Sequence, residues 1–315
     1  MSITAPSPAQ IPSRGTSTKV PREYVHKVVG SEVLLTAWRP NGSDVYSVGA
    51  RWPHQHSFYS PSHGLHDPLL VAESVRQTVP LLCHTAFDVP MGHRQAWTHF
   101  RYTINPAAMI ATKDPAPVGM RVSCADVVRR GSRLASMNMQ VDLMRQGIRL
   151  GTARTSFVNQ PPAVYQRLRR QYADVSVAAA RAIPLASPMN PHEVGRERFE
   201  DVVLSPTDSP NRMQLRVDLA HPVLFDHPLD HVPGMLLLEA TRQAAHALAH
   251  PRPVIVMAMD AVFSRYAEFD APCWIHADPL PSDSAGRMRV LISALQNGTC
   301  IYSSVATLEH RPPTH

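Results

Sequence analysis

The segment Leu69-Leu-Val-Ala-Glu-Ser-Val-Arg-Gln77 returns later in the chain as Met235-Leu-Leu-Leu-Glu-Ala-Thr-Arg-Gln243. An internal repeat constrains architecture before any other signal, because each copy is one structural unit and the copies fold alike. The repetition extends to both sides of this segment. Upstream, residues 32–36 and 45–52, around a turn at Pro40-Asn-Gly42, read as two strands, and residues 201–205 and 213–219, around Pro210-Asn211, read as the same pair. His54 and Phe58 align with His221 and Phe225 at one constant spacing. Downstream, β-branched or alternating runs follow each copy: 96–104, 120–129, 134–144 and 148–158 in the first, 254–263, 273–277, 288–295 and 300–308 in the second. Arg145-Gln-Gly147 and Gln296-Asn-Gly298 read as hairpin turns.

Each copy is therefore two strands, one long apolar helix, then three or four strands. Short turns imply antiparallel pairing, which makes the chain an α+β protein with a sheet wrapped around one central helix per repeat. The expected boundaries are a flexible tail at 1–19, a first repeat at 20–160, a connecting segment at 161–198 and a second repeat at 199–310. In the connection, 164–182 reads as an amphipathic helix whose Arg167, Arg169 and Arg170 form a solvated face. Pro80 predicts a kink in the first central helix.

Composition narrows the function classes. The 315 residues are 44% hydrophobic and 18% charged, enough apolar matter for a real core, and 30 prolines spread along the chain rule out a long helical bundle. Four cysteines without paired spacing indicate neither a disulfide framework nor a zinc site, so no metal is expected and a reducing cytoplasm is the expected location. The N-terminus lacks the apolar core of a secretion signal, and no run of about 18 apolar residues is present, so no membrane partner is expected. A net charge of +6 suits acidic partners: phosphorylated small molecules, an acidic carrier protein, coenzyme A or nucleic acid. Without a helix-turn-helix pattern or an arginine-rich arm, nucleic acid is the least expected of these.

The chemistry-bearing residues lie on the repeated helix. Glu73, Arg76 and Gln77, and again Glu239, Arg242 and Gln243, stand at i, i+3 and i+4 and project from one side. The residues before them are apolar on every side, which encloses the helix in protein. A carboxylate and a guanidinium in such a helix must pair, hydrogen-bond or face a cavity. Two readings are open: an ion pair that fixes packing, or a site. The second helix is entered through Asp226-His-Pro-Leu-Asp-His-Val-Pro-Gly234, where Pro233 suits the first turn and Gly234 permits close backbone approach. Free N–H groups at such a start can hold a carbonyl oxygen that gains charge during acyl transfer. His227 and His231 are the candidates for proton transfer, the alternative being a capping or core hydrogen bond. The first helix is entered through His63-Gly-Leu-His-Asp-Pro68, without the Pro-Gly pair. No phosphate loop, nucleophile elbow or Cys-His-Asn set is present, so direct transfer is the economical chemistry.

The second entrance and helix resemble the hot-dog motif of β-hydroxyacyl carrier-protein dehydratases. Both halves together, with Val20-Pro-Arg-Glu-Tyr-Val-His26 and His66-Asp-Pro-Leu-Leu-Val-Ala-Glu-Ser-Val-Arg-Gln77, are similar to the A-factor biosynthesis (AfsA) family of actinobacteria over about residues 20–308. The resemblance implies a tandem hot-dog fold. It also implies an acyltransferase that joins a β-ketoacyl group, carried on the phosphopantetheine of acyl carrier protein or coenzyme A, to the hydroxyl of dihydroxyacetone phosphate. That is the first step toward a γ-butyrolactone or furan signal controlling antibiotic production. No resident cofactor is implied, and an acidic acyl carrier protein is the implied partner. Glu73, Glu239 and Arg242 match the family's catalytic positions. Arg76, Gln77, Gln243, His227, His231 and Gly234 are then expected to bind substrate, with a glutamate of raised pKa as base. The second triad is the expected catalytic centre and the first the expected substrate-positioning one. A hot-dog dehydratase or thioesterase, or a ligand-sensing regulator without catalysis, are the alternatives.

Overall fold

A computed structural model describes residues 20–311; the expected tail at 1–19 lies outside them. Two central helices, α1 (Leu69–Ala86) and α4 (Gly234–Ala249), are wrapped by one 12-stranded sheet. Its strands are β1 (Leu35–Pro40), β2 (Val45–Trp52), β3 (Arg94–Ile104), β4 (Ala116–Arg130), β5 (Arg133–Arg145), β6 (Ile148–Gln160), β7 (Leu204–Ser205), β8 (Arg212–Leu215), β9 (Val254–Phe263), β10 (Cys273–Leu280), β11 (Met288–Gln296) and β12 (Thr299–His310). They lie in the order β1-β2-β4-β5-β6-β3-β9-β12-β11-β10-β8-β7. The order is the same read outward from its middle in either direction, so each repeat is one half-sheet. The halves join where β3 runs antiparallel to β9, from His99 opposite Val262 to Thr103 opposite Ala258. One core therefore runs through both repeats, and α1 touches α4 inside it.

The hairpin turns are formed as expected. Gln146 and Gly147 link β5 to β6 with φ of 51° and 77°, and Asn297 and Gly298 link β11 to β12 with 51° and 71°. Positive φ at both central positions matches the twist of the flanking strands. The first strand of each repeat starts later than the sequence implies. Gly30–Glu32 and Phe199–Asp201 form 3-10 turns, because Glu32 and Asp201 are drawn inward toward His56 (3.3 Å) and His221 (3.6 Å). Those two histidines are the structural counterparts. Each accepts two backbone N–H groups at Nδ1, from Phe58 and Tyr59 and from Val223 and Leu224. The alignment of His54 with His221 is thus corrected to His56; His54 instead contacts the Thr112 carbonyl at 2.6 Å.

α1 runs without interruption from Leu69 to Ala86, with Pro80 inside it. The single connecting helix is two, α2 (Pro162–Arg169) and α3 (Val175–Ala180). Arg170 at φ 51° breaks the run, and the Asp174 side chain caps the restart by accepting the Ser176 and Val177 N–H groups. Arg169 leaves the expected solvated face: it is 5% exposed and pairs with Asp230 and Glu268.

Candidate active site

Each central helix holds its glutamate in a polar cage. In α1, Arg76 grips Glu73 through Nε (2.8 Å) and Nη2 (2.9 Å), Gln77 Nε2 donates to Oε1 at 2.8 Å, and Lys27 Nζ lies 3.2 Å from Oε1. In α4, Arg242 grips Glu239 through Nε (2.9 Å) and Nη2 (2.8 Å), Gln243 donates to Oε1, and Arg196 adds Nε and Nη2, both at 2.8 Å. Lys27 and Arg196 escaped the sequence reading. The signal was there, because Val25-His-Lys27 repeats as Val194-Gly-Arg196 after equivalent 3-10 helices, Arg22–Val25 and Pro191–Val194. His26 and Gly195 even share the left-handed conformation, at φ 52° and 67°.

The glutamines, expected to bind substrate, do not line the cavity at the seam between the repeats and are engaged within the protein. Gln77 accepts the Leu34 N–H at 2.9 Å and donates to the Glu32 carbonyl at 2.7 Å, and Gln243 does the same with Val203 (2.9 Å) and Asp201 (2.7 Å). With the glutamates as their remaining acceptors, both carboxamides are spent pinning the chain before β1 and β7 to the helix.

A cavity of about 370 Å³ decides between the triads. It is lined by Glu73, Arg76 and Lys27 of the first repeat and by His227, His231, Gly234 and Met235 of the second, so it spans the seam. Glu239, Arg242, Gln77 and Gln243 do not line it. Arg76 is 23% exposed at its side chain, whereas Arg242 is 8%. At this cavity the second helix supplies its entrance and the first supplies the triad, rather than one helix supplying both. Sequence spacing places a residue on its own helix but does not say which triad faces which entrance across the seam.

Charge separates the two further. Beside Glu239, Arg196 and Arg242 are balanced by a second buried carboxylate, Asp67, whose Oδ2 lies 3.8 Å from Arg196 Nη1. Among the described residues no second carboxylate pairs with the first triad, where Lys27 and Arg76 face one glutamate, and Arg94 and Arg265 also line the cavity. Asp226, the other acid on the wall, is engaged by the Val28 and Val29 N–H groups at 2.7 and 3.1 Å. The helix starts differ as well. Asp67 Oδ1 accepts the Leu69 N–H at 2.8 Å at the start of α1, while no side chain caps α4. Gly234 fits there because a Cβ would meet the Trp97 ring at 3.1 Å. Gly234 and Met235, whose N–H groups no described side chain caps, line the cavity at the positive end of the helix dipole.

The glutamates are not raised-pKa bases. Burial alone would lift Glu73, but Arg76, Lys27 and the hydrogen bonds of Arg76 and Gln77 outweigh it and hold the carboxyl at about 2. Glu239 is likewise held at about 2 against burial, by Arg196 and Arg242. Burial, with the charges of His84 and Arg76, pushes His26 down to about 3, and burial with Arg76 lowers His227. The site can thus hold an anion and a carbonyl oxygen side by side.

The sequence profile of the A-factor biosynthesis hotdog domain matches residues 9–159 and 177–309. A 2-oxo-3-(phosphooxy)propyl 3-oxoalkanoate synthase of Streptomyces virginiae is 43% identical, over 91% of this chain and 96% of its own length. A synthase of the same name from Streptomyces coelicolor is 38% identical, over 91% and 90%. Among solved structures, a protein described as an oleoyl thioesterase from Lactobacillus plantarum gives a TM-score of 0.54 at 15% identity, covering 85% of this chain and 97% of that one. A 12:0-ACP thioesterase from Umbellularia californica gives 0.52 at 7%, covering 87% and 100%. Likeness at these identities is likeness of fold, a double hot-dog.

Proposed function

The chain belongs to the A-factor biosynthesis hotdog family, and from that premise we propose that it is an acyltransferase moving a β-ketoacyl group from a thioester to the hydroxyl of dihydroxyacetone phosphate. The product is the 2-oxo-3-(phosphooxy)propyl 3-oxoalkanoate that names its relatives, the first intermediate toward a butyrolactone-type signal. The observation that carries this reading is the cavity across the seam, where a cationic cluster and an uncapped helix start meet.

Lys27, Arg76 and Arg94 offer the positive charge a phosphate requires, with arginine presenting paired donors to its oxygens. The Gly234 and Met235 N–H groups suit the thioester oxygen as it becomes an oxyanion. Val79, Pro80, Trp97, Leu229 and Phe263 give the acyl chain an apolar wall. Among the described residues Glu73 Oε2 carries one partner, Arg76 Nε, which leaves that oxygen able to accept the acceptor's hydroxyl. Holding both reactants in one enclosed space converts a bimolecular encounter into a local one. The net charge of +6 supports delivery of the acyl group by an acidic carrier protein, with coenzyme A as the smaller alternative donor. The carrier's phosphopantetheine arrives with the substrate, and the reaction asks for no resident cofactor. A cytoplasmic setting, where both substrates are made, completes the reading.

Purified protein given a β-ketoacyl thioester and dihydroxyacetone phosphate is expected to form the phosphorylated ester, read by mass spectrometry. Free β-keto acid without ester would identify a hydrolase instead, and no ester from any chain length would overturn the proposal.

A further inference from the structure

Acyl transfer to a hydroxyl needs a group to take its proton, and neither glutamate is suited to the task. His231 stands apart from the other histidines of the cavity wall. Its Nδ1 lies 2.7 Å from Oδ1 of Asp230, a carboxylate only 2% exposed. The Tyr165 hydroxyl lies 2.7 and 2.6 Å from the two oxygens of that carboxylate. Arg169 holds it from behind, with Nε 3.3 Å from Oδ2 and Nη2 2.9 Å from the Asp230 carbonyl, and is itself paired with Glu268. The Tyr266 ring packs edge-on to the imidazole at 4.6 Å. A carboxylate that accepts Nδ1–H fixes the tautomer whose lone pair is on Nε2, leaving that nitrogen for a molecule in the cavity.

The other candidates lack this arrangement. His227 Nδ1 is 3.6 Å from Asp226, beyond hydrogen-bond distance, and that acid already serves the Val28 and Val29 N–H groups. His26 Nε2 is committed to His84 Nε2 at 2.8 Å. The duplication provides an internal control. Counted from the two glutamates, Asp230 and His231 correspond to Gly64 and Leu65 in the first repeat. Tyr165 and Arg169 come from α2, in the segment between the repeats. The constellation is thus built once, on the cavity that holds Glu73.

Resting on the acyl-transfer reading above, we infer that His231 is the general base of the reaction and that Asp230 and Tyr165 are its positioning residues. His231 Nε2 takes the proton as the hydroxyl oxygen of the acceptor forms its bond to the thioester carbon. The carbonyl electrons move to the oxygen held at the start of α4. They return as the carbon–sulfur bond breaks, and the imidazolium gives its proton to the departing thiolate. Ester and free thiol result, with no oxidant or further reactant.

The test compares ester formation by the wild-type chain, H231Q, H231A and D230N, each checked for folding by circular dichroism. Ester from the wild type upholds the acyl-transfer reading whatever the variants do; its absence removes both. H231Q is expected to lower kcat by about 10²–10³-fold with KM for both substrates within about threefold. D230N is expected to lower kcat at unchanged KM, because an amide donating to Nδ1 leaves the proton on Nε2. Added imidazole is expected to restore H231A activity at least about tenfold, a response that a merely structural role would not give. On the wild type, loss of activity under diethyl pyrocarbonate is expected to track carbethoxylation of His231 by peptide mass mapping, which decides the matter if the variants fold poorly. A folded H231Q retaining more than about a third of wild-type kcat, or inactivation that tracks another histidine, overturns the inference.

Discussion

Glu73 and Glu239 hold equivalent places and equivalent partners, yet only one borders open space. The difference lies in single residues around them: Asp67 neutralises the second cluster, and Leu65 stands where His231 would be. Glu239→Gln removes the counter-charge of two buried arginines and is expected to cost about 3–5 kcal/mol in chemical denaturation, the usual penalty for stranding buried charge. Acid should have a related effect. Both carboxyls sit at about 2 in the folded chain against 4.5 ordinarily, so the unfolded chain binds more protons between those values. Their contribution is complete above about 4.5 and is lost as pH falls toward 2. Burial holds the neutral imidazoles of His26 and His246 at about 3 against 6.5, and they act in the same direction from 6.5 downward. The urea midpoint is expected to fall below pH 6.5 and again below pH 4.5, and Glu239→Gln to flatten the second fall. A midpoint constant from pH 7 to 3 would contradict these assignments.

At the scale of elements, the strands and hairpins were legible because alternation and Asn-Gly or Gln-Gly turns are local signals. The two central helices were legible because their apolar runs and polar triads repeat. What the sequence did not disclose is contact across the seam: that β3 pairs with β9, and that the start of α4 faces the triad of α1. The connecting helix was misread for a related reason. Arg169 looks like one of three surface arginines until the chain folds back and sets it between Asp230 and Glu268. Arg169→Ala is expected to lower the melting temperature and also the activity, because α2 carries Tyr165 to the cavity. A variant altered in neither would show α2 to be a mere tether. Gly195→Ala tests the turn that delivers Arg196: φ is 67° and a Cβ would come within 2.6 Å of the His246 ring. It should destabilise by about 1–3 kcal/mol, measured by thermal unfolding.

For the whole molecule, duplication supplies within one chain the two half-sheets and two helices that enclose a site between repeats, and divergence leaves the halves with different tasks. The first repeat contributes the cationic triad, the second contributes the uncapped helix start and the oriented histidine, and the connection braces both. One consequence is stoichiometric: calorimetry with a non-transferable β-ketoacyl thioester analogue is expected to give one site per chain, and two would revive the second triad as a site. The claim that one composite site performs the reaction is tested most directly by kcat for ester formation in Glu73→Gln and Glu239→Gln, each normalised to folded protein. Per folded molecule, Glu73→Gln is expected to fall about 100-fold or more and Glu239→Gln to keep a kcat close to that of the wild type. A folded, inactive Glu239→Gln beside an active Glu73→Gln would contradict it.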